Sequence, residues 1–165
     1  MNNLKANELI LKQVFQPKIG DRRMLGRTPK GILFTPDGGF GIFIRESQFL
    51  LDFDKVLDGR AEFNTKELYL DPDTESVREY RRTNEMRVWI GKDEHKHTLI
   101  RFVSEDGNAD WWGDDRYLKL FPDAVRYMTK CTNAKFPALY IEEHDRKTNI
   151  TEITGIILPV NMNRL

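Results

Sequence analysis

Phe136-Pro137-Ala138-Leu139-Tyr140-Ile141-Glu142-Glu143-His144-Asp145-Arg146-Lys147-Thr148-Asn149-Ile150-Thr151-Glu152-Ile153-Thr154-Gly155-Ile156-Ile157-Leu158-Pro159-Val160-Asn161-Met162 is the stretch whose reading decides the fold. Two runs rich in β-branched and aromatic residues flank a charged segment, so the pattern is a hairpin. The second run ends in Ile156, Ile157 and Leu158. Successive strand residues point to opposite faces, so three apolar residues in a row require burial on both sides, deep in a sheet. Pro159 offers no backbone donor and marks where the strand leaves the sheet or becomes an edge. Residues 160–165 are then expected to line a surface groove.

The rest of the chain is built against that hairpin. At 165 residues it has the length of one domain, 1–165, able to bury a core without disulfide or metal. Lys plus Arg and Asp plus Glu number 26 each, so no global field draws the protein to nucleic acid or membrane, and any such attraction is local. The single cysteine, Cys131, excludes an intrachain disulfide and fits a reducing compartment. No run of 18 apolar residues is present, and Met1-Asn2-Asn3-Leu4-Lys5 leads into an amphipathic segment rather than a signal peptide. The expectation is a cytoplasmic protein with no membrane partner.

Upstream, Leu4, Ile10, Leu11 and Val14 share one side of a helix ended by Pro17. A basic loop over 18–31 follows. Ile32, Leu33 and Phe34 run into the turn Pro36-Asp37-Gly38-Gly39, and residues 40–44 return from it, with a third strand at 48–53. A short strand is expected at 67–70. Ser76 and Glu79 have capping-box spacing for a helix from Val77 that carries Arg78, Arg81 and Arg82. Strands follow at 86–90, 97–103, 110–113 and 116–120. Phe121-Pro122-Asp123 opens a last helix with Ala124, Val125, Met128 and Cys131 on its buried side. This order predicts an α+β fold, mostly antiparallel sheet with two or three helices on one face.

Chemistry-bearing residues are sparse. Asp93, Glu94, His95 and His97 cluster, and a His-x-His pair on a strand shares a face, yet no third neutral ligand follows. His144, among Glu142, Glu143 and Asp145, reads as a hairpin tip. Asp123 with Asp145 and Lys147 has the residue types of a PD-(D/E)xK nuclease site, which needs two carboxylates on Mg²⁺ and a lysine near the water. That site calls for adjacent strands, whereas Pro122-Asp123 reads as a helix start. Cys131 reads as a small buried apolar group. Trp111 and Trp112 are adjacent and on a strand point to opposite faces; core packing is the default reading, and an exposed Trp among Asp110, Asp114 and Asp115 would favour a protein contact over a nucleic acid. No catalytic residue, metal or cofactor is assigned.

One resemblance runs through the same residues. Ile156 to Leu165 resembles the C-terminal strand of bacterial DNA sliding clamps. Met86 to Gly91 followed by Phe121-Pro122-Asp123 is similar to the order of elements in a clamp domain, and Gly31 to Phe34 with Asp37-Gly38 to its early hairpin. Asn161 stands where that family usually has arginine. The resemblance implies a clamp-like, non-enzymatic module associated with DNA replication, and a one-domain chain would complete a ring only as a homo-oligomer. It implies basic helices facing duplex DNA, here through Arg78, Arg81, Arg82, Arg126 and Lys130, and a partner-peptide groove near Leu158, Pro159, Val160 and Met162. The alternative is a protein-binding module or inhibitor acting through Trp111 and Trp112, and the third reading is the metal-dependent nuclease.

Overall fold

The computed structural model describes residues 1–16, 21–91, 94–134 and 137–160. They group into two compact units, Met1–Leu70 and Asp71–Leu165. Both contain antiparallel strand pairs, and the fold is α+β.

The first unit opens with helix α1 (Asn3–Phe15), capped by the Asn2 side chain, which accepts from Lys5 N at 2.9 Å. Strands β1 (Met24–Thr28), β2 (Gly31–Thr35) and β3 (Phe40–Ile44) form a meander, with Leu25 opposite Phe34 and Phe34 opposite Ile42. The β2–β3 turn is the expected one: Gly38 has φ +77°, and Asp37 Oδ1 accepts from Gly39 N. A 3₁₀ turn (Glu46–Gln48) and α2 (Phe53–Leu57) follow.

In the second unit the strands are β4 (Val77–Ile90), β5 (Lys96–Ser104), β6 (Asp110–Asp114), β7 (Ala124–Lys130), β8 (Leu139–Asp145) and β9 (Ile150–Ile157), with short α3 (Asp115–Leu118) after β6. Their spatial order is β9-β8-β7-β4-β5-β6. The C-terminal hairpin forms as the sequence indicates. Ile156 and Ile157 are buried, and the strand ends before Pro159. Leu158 departs from the expectation at 42% exposed. Thr154 is an extra residue in the β8–β9 ladder, and its hydroxyl donates to the buried Glu143 carboxylate at 2.5 Å. The Phe121 ring packs against Gly155, where a Cβ would lie 2.3 Å from it.

Several expected elements are different ones. The helix expected from Val77 is the first half of β4, and the helix expected after Pro122 is β7. Each segment is taken into a ladder: Val77 to Tyr80 pairs with β7, and β7 pairs with both β4 and β8. Ladder pairing outweighs a local capping signal worth about 1 kcal/mol. Cys131 lies beyond β7 and is exposed, not buried. The strand expected at 116–120 is α3 and the turn after it, because Asp114 caps that helix by accepting from Arg116 N. No strand forms at 48–53 or 67–70. At 48–50 the Asn7 side chain instead donates to Gln48 O and accepts from Leu50 N, taking the groups a ladder would use. The buried side of α1 is Ala6, Asn7 and Ile10, while Leu4 is 72% exposed. The loop expected over 18–31 contains β1, whose signal Gly26 had masked. That glycine lets the Phe63 carbonyl pass where a Cβ would sit. Pro17, Lys18 and Asp93 lie outside the described residues. Among the described residues no helix is long and apolar enough to cross a membrane.

Candidate functional site

The β4–β5 hairpin carries two contrasting faces. Side chains alternate along β4, so Arg87 and Trp89 share one face and Met86, Val88 and Ile90 the other. On the first face Trp89 lies opposite His97, their rings 5.0 Å apart, and the Arg87 guanidinium stands 4.7 Å over the Trp112 ring. His97 and Asp114 are both buried, with Nδ1 to Oδ2 at 3.0 Å. Arg116 completes the cluster with two hydrogen bonds from Nε and Nη2 to Oδ2 of Asp114, at 3.0 and 2.7 Å. Burial pushes the Asp114 carboxyl up, but hydrogen bonds from Arg116, its charge, and the contact with His97 outweigh it and leave the group below the usual aspartate range. The cluster is closed in on itself, a structural network rather than an open catalytic one.

The second face is open. Met86, Val88 and Ile90 are 64, 69 and 63% exposed, a continuous apolar row in strand register. It extends the core face of the sheet, since Met86 pairs with Ile100, which is buried. Among the described residues, the backbone beside it pairs on one side only. The ladder to β7 ends at Tyr80 opposite Tyr127, while the ladder to β5 continues to Ile90 opposite Lys96. A bulge between Arg82 and Met86 separates this row from the charged first half of the strand.

The residues expected to face DNA lie on strands, not helices. Arg78 and Arg82 share a face of β4, and Arg81 points to the other. Arg82 pairs with Asp115 at 3.2 Å, Arg78 approaches Asp106 at 4.0 Å, and Lys130 approaches Glu75 at 3.8 Å. Arg126 bonds Glu79 and approaches Glu142, so its guanidinium is held even more firmly protonated than usual, chiefly by the Glu79 hydrogen bond. Arg81 is exposed and has no ion pair among the described residues. Local carboxylates thus already face four of the five cations.

Trp111 and Trp112 are both buried, in line with the default core reading, so neither offers the protein contact that an exposed Trp would make. Trp111 packs edge-on to Phe102 and donates to Pro137 O, while Trp112 lies under Arg87. At the C-terminal groove Val160 is not free: its N–H donates to Trp112 O at 3.2 Å. Met162 lies outside the described residues.

The nuclease residues meet in an unexpected way. Asp123 precedes β7 and Asp145 ends β8, so the two parts lie at the same end of two adjacent strands, the end away from their connection, with Ala124 opposite Glu143. Asp145 Oδ1 accepts from Lys147 N, and the Asp123 N–H donates to Glu143, whose carboxylate also accepts from Thr154. His95 precedes β5 and is exposed while His97 is buried, so the pair does not share a surface. Among the described residues no group of three or more His, Cys, Asp or Glu is placed to hold a metal ion.

The row on β4 escaped sequence reasoning because Met86, Val88 and Ile90 read as an ordinary half-buried strand. Only the length mismatch between β4 and β7 exposes it. Comparison with known proteins adds no name to this surface: no family model, curated protein or solved structure matches the chain.

Proposed function

We propose that the protein is a non-enzymatic interaction module that takes up an extended polypeptide as an added strand along the edge of β4. The observation that carries this reading is the coincidence of an apolar row, Met86, Val88 and Ile90, with a backbone edge that, among the described residues, has no neighbouring strand past Tyr80. Main-chain hydrogen bonds supply affinity in strand addition, and alternate side chains supply specificity. Isolated exposed apolar residues are ordinary, but a row at strand spacing beside unpaired backbone is what such recognition needs. The test is a panel of extended peptides with apolar residues at every second position, titrated against Trp89 fluorescence. Binding lost on Val88→Lys is the expected result. No peptide binding at millimolar concentration, or binding indifferent to Val88→Lys, refutes it.

A second reading, contact with the duplex DNA backbone by a clamp-like replication module, is favoured by Arg81, an exposed and unpaired cation between Arg78 and Arg82. Affinity of that kind comes from counterion release and falls steeply with salt. Retention on duplex DNA at low salt, weakened by Arg81→Ala, supports it; no retention by the folded monomer removes it.

A further inference from the structure

We infer that the strand taken up by β4 is, in solution, the same segment of a second copy of this chain, paired antiparallel about a two-fold axis at Val88. The inference rests on the strand-edge reading above and gives it a definite occupant. Natural edge strands are protected from self-pairing by proline, inward charges or cover. Residues 86–90, Met-Arg-Val-Trp-Ile, contain no proline, and their one charge, Arg87, is folded back over Trp112.

The sequence itself selects the partner. A two-fold axis through an antiparallel strand pair must pass through a residue that faces itself, so the registers available are few. With Val88 on the axis, Val88 meets the partner's Val88, Met86 meets the partner's Ile90, and Arg87 meets the partner's Trp89. Every apolar residue of the row then faces an apolar one, and the cation faces an aromatic ring. Centring on Arg87 sets two guanidinium groups against each other, and like charges directly opposite are destabilising. With Met86 at the centre, Ile90 faces the partner's Arg82 and Val88 the partner's Asn84, so two of the three apolar pairings are lost. The row is palindromic about Val88 alone, which is what an isologous contact requires.

A five-residue ladder with six apolar side chains is smaller than the roughly 1,200–2,000 Å² of a standard stable interface. The dimer is therefore expected to be weak, with a dissociation constant of about micromolar or higher.

Sedimentation velocity across a wide concentration range reads this directly. The full chain is expected to move from monomer to dimer as concentration rises. Val88→Lys and Val88→Glu, at a side chain already exposed, should each stay folded by circular dichroism and monomeric, because each places like charges on the axis. Mixing the two variants in equal amounts should restore the dimer, since lysine then meets glutamate across the axis. A wild-type chain that is monomeric throughout, a dimer indifferent to Val88→Lys, or a mixture that stays monomeric each overturns the inference. If the chain is monomeric and the alternating peptides still bind, self-pairing fails and strand addition stands; if neither occurs, both fall.

Discussion

The Nδ1 of His97 lies 3.0 Å from Oδ2 of Asp114, with both side chains 4% exposed. Around this pair the β4–β5–β6 sheet builds the face opposite the open row: Trp89 packs on the imidazole, and Arg116 closes over the carboxylate. The result is a rigid back for the open row on the other side of β4.

Acid should loosen that support. The Asp114 carboxyl is held below the ordinary aspartate range in the folded chain. Its stabilisation is therefore complete above the unfolded value of about 3.9 and is lost as pH falls from there through the lower folded value. Asp114→Asn should cost about 1–3 kcal/mol at neutral pH, the range for leaving buried groups poorly satisfied. It should also flatten the fall in thermal midpoint below about pH 4, where the paired aspartate would otherwise be titrating. Unchanged acid sensitivity in the variant would show that other carboxylates control it.

Phe121 and Gly155 should behave as one unit. Gly155→Val places side-chain atoms where the Phe121 ring lies and should lower the thermal midpoint clearly. The double variant with Phe121→Ala should recover part of that loss, a coupling that a double-mutant cycle measures. Strict additivity would show that the two residues do not share the space.

Ile157 is fully buried at the end of β9. Ile157→Ala should cost about 2–5 kcal/mol in chemical denaturation. Ile157→Asp, which would bury an unpaired carboxylate, should leave no soluble folded protein.

Asn7 organises the segment after β3 by bonding Gln48 O and Leu50 N. Asn7→Ala should leave both groups without that partner at a cost of about 1–3 kcal/mol. Hydrogen exchange should show the Leu50 amide exchanging faster, with little change in the β2–β3 hairpin. An unchanged Leu50 amide would mean that the segment is held by other contacts.

The sequence by itself determined what depends on neighbours in the chain. The β2–β3 turn follows from Asp37 and Gly38, because one supplies a side-chain acceptor and the other a positive φ. The final hairpin follows from Ile156 and Ile157, which no surface position accommodates. The α+β class follows from these periodicities, and so does α1 as an element.

Tertiary structure alone decided the identity of segments with two local solutions. Val77 to Tyr80 and Ala124 to Lys130 carry helix-start signals yet are strands, because each is taken into ladder pairing with distant strands that the local pattern does not contain. The same cause places Arg78, Arg82, Arg126 and Lys130 beside Asp106, Asp115, Glu79 and Glu75, residues up to 55 positions away. Nor could any periodicity announce the β4 edge. Met86, Val88 and Ile90 read as half-buried in sequence, and they are open because β4 is twice as long as β7, 14 residues against 7. Exposure at a sheet edge depends on where the neighbouring strand ends, a property of the pairing and not of the strand itself.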